Sequence, residues 1–179
     1  MMFDICFTGE VVTDEDVTQL HLGIITLGRI TERIGASCST WSERDYERQW
    51  LEVAKRLLHP DSCSAFITDV TEDLVTWWPA WRIDDLIILQ SQLLFVGAKE
   101  GDEEYNPQAA NFSLEDPYAS VRDRDEGHAK ECRKTGICRR PKLGLRCSYA
   151  EGDLCVSEWC VSMEEMREFL ERRTKDWVQ

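Results

Sequence analysis

Residues 64–96 read SAFITDVTEDLVTWWPAWRIDDLIILQSQLLFV, and the rest of the chain is predicted to pack around them. Three runs of β-branched, aromatic and aliphatic residues are separated by two short acidic pairs, Glu72-Asp73 and Asp84-Asp85. This composition is typical of strands joined by tight turns. The segment therefore predicts a three-stranded antiparallel meander.

Both faces of the predicted meander are apolar. The second run alternates between one face with Val75, Trp77, Trp81 and Ile83 and another with Leu74, Trp78 and Ala80. Because both faces need cover, we expect helices from elsewhere in the chain to pack on them. Tryptophan is enriched in binding hot spots, so one face of this run could be a recognition surface, but burial in the core is an at least equally strong alternative. The proline in this run, Pro79, lacks a backbone donor, so its strand should bulge there or turn that nitrogen towards an unpaired edge.

Two segments carry the periodicity of amphipathic helices. Ser42 is placed to cap a helix within residues 41–58, and the apolar stripe of that helix includes Tyr46. Ser162 and Glu165 form a capping box at the start of a C-terminal helix. We expect the first helix to cover one face of the meander and the second to pack against the sheet.

Three further segments read as strands, and the elements together define the fold class. Residues 3–7 alternate between apolar and polar side chains, and residues 154–159 form a short apolar run. Residues 20–34 have an ambiguous period, but their β-branched content favours strand. We predict one α+β domain over residues 1–179, with a mainly antiparallel twisted sheet, a central three-stranded meander, an internal covering helix and a C-terminal covering helix.

The character of the chain changes after the meander. Residues 97–153 contain few large apolar side chains and are predicted to form a long irregular charged insertion. Their charge is segregated, because residues 99–126 are mainly acidic and residues 128–147 mainly basic. A loop of this length is usually ordered in part by docking onto the body of the domain. The expected anchors are Tyr105, Phe112, Leu114 and Tyr118.

Composition restricts the classes of partner. The net charge of -13 over 179 residues weighs against binding to nucleic acid and favours a basic partner, although a merely solvated acidic surface is an open alternative. The N-terminus lacks the pattern of a secretory signal, and no apolar run approaches the roughly 20 residues that span a bilayer. The eight cysteines are therefore expected to be reduced in a cytoplasmic protein with no membrane contact.

Catalysis and metal binding have weaker sequence support. The three histidines lie beside no recognisable nucleophile signature, and no glycine-rich phosphate loop is present, so we predict no enzyme and no cofactor. One group of potential zinc ligands occurs in the insertion: His128, Cys132, Cys138 and Cys147. Their spacing misses the usual zinc knuckle, so unpaired thiols are the alternative reading.

A set of short segments resembles a known family. These segments, in order, are MFDICFTGE, TWSERDYERQW, SAFIT, WWPAWR, IILQSQLLF and VSEW. Their order and spacing resemble those of CdiI-type immunity proteins of bacterial contact-dependent growth inhibition systems. The matching segments cover somewhat over half of the chain, whereas residues 97–153 look longer and richer in cysteine and arginine than the family pattern.

The resemblance implies a stoichiometric inhibitor and not an enzyme. Such a protein stays in the cytoplasm of the producing cell and binds the C-terminal toxin domain of a cognate CdiA-type protein, often a nuclease. The residues at the family's matching positions suggest mostly structural roles: Trp41, Asp45, Tyr46, Trp50, Gln90, Glu158 and Trp159.

The negative net charge of the chain, independently of the resemblance, also favours a nuclease toxin as the partner. A nuclease carries a cationic groove for nucleic acid, and an acidic protein can occupy such a groove and exclude the substrate. We predict that the partner-binding residues are Glu72, Asp73, Asp84, Asp85, Glu100, Asp102, Glu103 and Glu104. Solvation of ordinary turns is the alternative for each of them. Two other functions stay open: a protein-interaction or regulatory module without a toxin, and a module stabilised by zinc.

Overall fold

A computed structural model of the chain describes residues 2–13, 19–97, 99–100, 112–121 and 157–177. In chain order, its elements are β1 (Phe3–Thr13), β2 (Gln19–Leu27), β3 (Ile30–Ser37), α1 (Glu43–Leu57), β4 (Cys63–Val70), β5 (Leu74–Ile83), β6 (Leu86–Phe95), a 3₁₀ turn (Pro117–Ser120), β7 (Ser157–Ser162) and α2 (Met163–Trp177). These elements confirm the predicted α+β class.

The described strands form two antiparallel sheets. One has the order β1-β2-β3 and the other the order β4-β5-β6-β7. The predicted meander is the β4-β5-β6 part of the second sheet. The segment with an ambiguous period, residues 20–34, forms strands, as the sequence favoured. A turn at Gly28, which has a φ of 69°, divides it into β2 and β3. The first described residue of the last strand is Ser157. Residues 154–156 of the predicted strand lie outside the described residues.

Pro79 lies in a central strand of the second sheet. It is aligned with Ala65 of β4, while the pairs with β6 stop at Trp77 and resume at Ala80. The ladder between β5 and β6 is therefore interrupted where proline cannot donate a hydrogen bond. An interruption inside the sheet accommodates Pro79, and β5 is not an edge strand.

Helix α1 covers the edge of β4 that faces away from β5. The side chain of Gln49 donates to the carbonyl oxygen of Ala65 at 2.6 Å and accepts from the amide of Ile67 at 3.1 Å. The indole of Trp50 donates to the carbonyl oxygen of Ile67 at 2.6 Å. These bonds satisfy backbone groups that an edge strand would otherwise present to other chains.

Aromatic side chains join the elements in one core. The ring of Phe3 lies 5.3 Å from that of Phe66 and 5.1 Å from that of Phe169, so β1, β4 and α2 meet there. The capping box at the start of α2 is confirmed, because the carboxylate of Glu165 accepts from the amide and hydroxyl of Ser162. Neither helix that the structure describes is long and apolar enough to span a membrane.

Candidate partner-binding surface

The first predicted acidic turn joins β4 to β5 and is held by hydrogen bonds. The amide of Thr71 donates to the carbonyl oxygen of Leu74 at 2.8 Å, and the amide of Leu74 donates back to the hydroxyl of Thr71 at 3.1 Å. Glu72 and Asp73, at the tip, are exposed, and neither carboxylate has an ion-pair partner among the described residues. Two exposed carboxylates are thus displayed on a hydrogen-bonded turn.

Another of the predicted residues, Glu100, follows the end of β6 that lies beside this turn. The amide of Val96, just after β6, donates to the carbonyl oxygen of Asp73 at 2.8 Å, so the chain leaves β6 beside the first turn. Glu100 follows four residues later and is exposed. The remaining acidic residues predicted here, Asp102, Glu103 and Glu104, lie outside the described residues. We call the surface that contains Glu72, Asp73 and Glu100 the Glu72 end.

The second predicted acidic turn, Asp84-Asp85, joins β5 to β6 and contacts both helices. The guanidinium of Arg82 donates to the carbonyl oxygen of Asp84 at 3.0 Å and to that of Leu58, just after α1. The amide of Met163, the first residue of α2, donates to the carbonyl oxygen of Asp85 at 2.9 Å. We call this surface the Asp84 end.

Large apolar side chains are exposed beside the second turn. Ile83 and Leu86 are aligned with each other across the hairpin and are 37% and 46% exposed. Asp84 has a φ of 54°, a left-handed conformation that aspartate tolerates better than most residues. The Asp84 end thus combines two carboxylates with two exposed apolar side chains on one hairpin turn.

The two acidic turns lie at opposite ends of one strand. Both turns flank β5, which has 10 residues. At roughly 3.3 Å per residue, the turns are about 30 Å apart. An interface of standard size is only about that wide, since it buries about 800 Å² of each partner. The predicted site residues that the structure describes therefore lie at two ends of the sheet, separated by about the full width of a standard interface.

A groove of about 650 Å³ runs between α1 and residues 112–118. Its walls are Trp41, Asp45, Arg48, Gln49, Glu52, Arg56, Leu114, Glu115, Asp116, Pro117 and Tyr118. The guanidinium of Arg56 lies 4.0 Å from the centroid of the Tyr118 ring. Burial, together with the nearby carboxylate of Glu52, raises the pKa of Tyr118 to about 12. Its hydroxyl therefore remains protonated at neutral pH.

The carboxylates in this groove fall into two kinds. Asp45 pairs with Arg48 at 3.1 Å, and Glu52 pairs with Arg56 at 2.9 Å. The hydroxyl and amide of the helix cap Ser42 donate to Asp45 and lower its pKa. By contrast, the exposed side chains of Glu115 and Asp116 have no ion-pair partner in the part of the chain that the structure describes.

A second groove, of about 440 Å³, lies beside the first at the Glu72 end. Its walls are mostly apolar: Thr40, Val70, Thr71, Glu72, Val75, Val96, Phe112 and Leu114. Leu114 lines both grooves and is 39% exposed. The two grooves are thus neighbours that share Leu114 as a wall.

The predicted anchors of the insertion have different outcomes. Phe112 packs edge to face on Trp77, with ring centroids 6.1 Å apart, and Tyr118 packs under Arg56, so both are confirmed. The prediction for Leu114 was wrong, because this side chain is exposed between the grooves. Tyr105 lies outside the described residues. The unpaired pair Glu115-Asp116 was not among the predicted site residues, although it directly follows Leu114 in the sequence.

Residues at the family's matching positions have structural contacts, as expected. Asp45 completes the capping box of α1, since its carboxylate accepts from the amide of Ser42 at 3.0 Å. The side chain of Gln90 donates to the carboxylate of Glu158 at 2.9 Å, which links β6 to β7. Trp159 packs on Trp78 with ring centroids 5.0 Å apart.

Two other hypotheses have different outcomes. The possible zinc ligands His128, Cys132, Cys138 and Cys147 lie outside the described residues. Within the described ranges, no group of three or more His, Cys, Asp or Glu residues is arranged to hold a metal ion. The three tryptophans of β5 are all buried, so their indoles do not form an exposed recognition surface.

Comparison with known proteins gives two findings. A family model described as the CdiI N-terminal domain matches residues 36–169. One chain of a solved structure, the CdiA-CT/CdiI toxin and immunity complex from Enterobacter cloacae, superposes with a TM-score of 0.68. It is 18% identical in sequence, and the match covers 97% of this chain and 99% of that chain. A search of curated proteins found no match. At this identity, the structural likeness shows a shared fold.

Proposed function

This chain belongs to the CdiI family of immunity proteins from bacterial contact-dependent growth inhibition systems, and we propose that it binds and neutralises the C-terminal toxin domain of its cognate CdiA-type protein. Membership of the family over residues 36–169 is the observation that carries this proposal. The protein acts by stoichiometric binding in the cytoplasm of the producing cell and catalyses no reaction.

The charge of the chain supports a basic toxin. The net charge of -13 attracts a cationic surface, and attraction of this kind accelerates association. A nuclease toxin would hold its nucleic acid on such a surface. We propose that the immunity protein covers the active or substrate-binding site of a nuclease domain and excludes its substrate.

The exposed turns supply the contacts. Glu72, Asp73 and Glu100 form one candidate surface, and Asp84 with Asp85 forms the other. Because hydrogen bonds fix both turns before binding, little conformational entropy is lost when a partner contacts their carboxylates. Asp102, Glu103 and Glu104 continue the acidic segment beyond Glu100 and belong to the same proposal.

Co-expression tests the proposed function directly. The toxin domain encoded beside this gene is expressed in a sensitive host with and without the full chain. We expect growth to be restored only when the immunity protein is present in at least equal amount, and the two proteins to purify together in a 1:1 complex. A neighbouring toxin domain that remains fully lethal, or protection by trace amounts of the immunity protein, would overturn the proposal.

Charge reversal tells the two ends apart. Glu72→Lys with Asp73→Lys, and separately Asp84→Lys with Asp85→Lys, change the net charge by the same amount. The pair that lies in the interface should slow association with the toxin domain and weaken binding, whereas the other pair serves as the matched control. If both pairs bind like the wild type, neither acidic turn contacts the toxin.

A further inference from the structure

The geometry points to the groove around Leu114, at the Glu72 end, as the docking site for one loop of the toxin domain. This inference rests on the proposed function and specifies its interface. The loop presents a large apolar side chain next to a lysine or arginine. The apolar side chain enters the smaller groove beside Leu114, where Glu72 lies on the wall, and the cation lies beside Glu115 and Asp116 in the larger groove.

Shape is the first observation that supports this site. The two grooves, of about 650 and 440 Å³, share Leu114 as a wall; the smaller one includes Glu72, and the larger one extends from Leu114 along α1. Ligand-accepting surfaces of proteins are typically concave, with apolar walls and a few polar groups at the rim. At the Asp84 end, the recess is smaller, about 380 Å³, and four of its five lining residues are charged.

Apolar lining is the second observation. Val70, Val75, Val96 and Phe112 line the smaller groove, and Leu114 forms the wall that it shares with the larger one. Binding hot spots are typically well-packed apolar pockets that a rim of other contacts shields from water. An apolar side chain of the partner would bury this lining and the exposed part of Leu114.

Charge is the third observation, and it identifies the neighbour of the apolar anchor. Five carboxylates surround the two grooves, and Arg48 and Arg56 already neutralise two of them, Asp45 and Glu52. The other three have no ion-pair partner among the described residues: Glu72, Glu115 and Asp116. All three line the grooves that share Leu114. A cationic partner is therefore favoured over an anionic or neutral one.

The Tyr118 ring in the larger groove already contacts a cation of this chain, Arg56. Arg56 lies over the face of Tyr118 at 4.0 Å, which is the position a partner's cation would take in a cation–π contact. The carboxylates that have no ion-pair partner within the described ranges are then the remaining attraction for an incoming lysine or arginine. This places the partner's cation near Glu115 and Asp116 and leaves the ring contact intact.

Binding of the purified toxin domain to the full chain tests the site by calorimetry. Leu114→Arg should weaken the complex by about 30-fold or more, the size of a hot-spot substitution, because it fills the groove and adds a like charge to a cationic loop. Leu86→Arg is the matched control, since Leu86 is equally apolar and similarly exposed at the other end. It should change the affinity by less than about threefold.

A second pair of variants separates the cation from the apolar anchor. Glu115→Gln with Asp116→Asn should reduce the salt dependence of binding, whereas Leu114→Ala should weaken binding and leave the salt dependence unchanged. Thermal unfolding of each variant checks that the fold persists, which is expected because these side chains are exposed.

The outcomes distinguish this inference from the proposed function. A wild-type chain that binds no toxin domain overturns both. A wild-type chain that binds the toxin domain, together with a folded Leu114→Arg variant that binds equally well, overturns the groove alone. An unchanged salt dependence in the Glu115 and Asp116 double variant overturns the cationic neighbour.

Discussion

The hydroxyl of Tyr46 donates a hydrogen bond to the carbonyl oxygen of Ser37 at 2.9 Å, and this bond links the two sheets. Ser37 is the last residue of β3, and the same hydroxyl accepts from the amide of Val70, the last residue of β4, at 3.0 Å. A single side chain of α1 thus satisfies one backbone group from each sheet. This contact, together with the bond from the Ser37 amide to Asp69, helps to fix the relative position of the sheets.

Replacing Tyr46 with phenylalanine tests this link. The change removes both bonds but keeps the ring, so a buried carbonyl and a buried amide lose their partner. We expect the free energy of unfolding to fall by about 1–3 kcal/mol in a urea titration. A variant as stable as the wild type would show that the two backbone groups do not depend on the hydroxyl.

The same variant has a pH signature. Burial raises the pKa of Tyr46 above its usual value of 10.0, so the folded state keeps the proton where the unfolded state loses it. The stabilisation by this group is complete below pH 10 and is lost as the pH rises towards the folded-state pKa. Stability of Tyr46→Phe should therefore fall less steeply above pH 10, with Tyr118 supplying the remaining loss.

Asp69 provides a second test at the junction of the sheets. Its carboxylate accepts from the amide of Ser37 at 2.8 Å, while burial raises its pKa above 3.8. Since the folded state binds the proton more tightly, the carboxyl contributes most stability at acidic pH and loses it as the pH rises through the folded-state pKa. Asp69→Asn keeps an acceptor and removes the charge, so at pH 7 it should be at least as stable as the wild type.

Asp69→Ala is the matched comparison. It leaves the amide of Ser37 without its acceptor and should lower the free energy of unfolding by about 1–3 kcal/mol. Chemical unfolding of both variants across pH 4–8 separates the two effects. Equal losses in the asparagine and alanine variants would show that the charge itself is needed.

Gln49 is expected to protect the edge of β4. Gln49→Leu keeps most of the volume but leaves the carbonyl of Ala65 and the amide of Ile67 without their partner. We expect a loss of about 1–3 kcal/mol in the free energy of unfolding and faster hydrogen exchange at the Ile67 amide. Exchange at Ile67 that matches the wild type would mean that another group protects this amide.

The C-terminal helix is expected to depend on a two-point ion pair. The guanidinium of Arg173 donates to both carboxylate oxygens of Asp4, at 3.0 and 2.8 Å. Arg173→Lys keeps the charge but loses the planar fork, so hydrogen exchange in α2 should become faster. Arg167→Lys, on an exposed position of the same helix, is the control and should exchange like the wild type.

Local patterns in the sequence predicted most of the elements. The helix cap at Ser42, the capping box at Ser162 and the acidic turns of the meander each depend on neighbouring residues, so they were predicted from the sequence. The division into two sheets depends on pairing between distant residues, such as Ser37 with Asp69, which no local period encodes. The separation of the acidic turns could be predicted from the sequence, since successive turns of a meander lie at opposite ends of the strand that joins them.

The groove was harder to predict than the turns. It requires residues 112–118 to pack beside α1, a contact between segments more than fifty residues apart. Apolar character alone predicted Phe112, Leu114 and Tyr118 as anchors, but only Phe112 and Tyr118 pack, half-buried, against the core, and Leu114 is exposed. One sequence signal indicated that Leu114 is exposed: it is directly followed by Glu115 and Asp116. A buried loop could not accommodate these two carboxylates.

The central claim is that acidic side chains at the Glu72 end hold a basic toxin domain. Its most direct test is the dissociation constant of the complex with the neighbouring toxin domain, measured from low to high salt for the wild type and for Glu72→Lys with Asp73→Lys. The account predicts that the wild-type complex weakens as salt rises, and that the double variant binds more weakly with a smaller salt dependence. A complex whose affinity is the same at every salt concentration and in both proteins would contradict it.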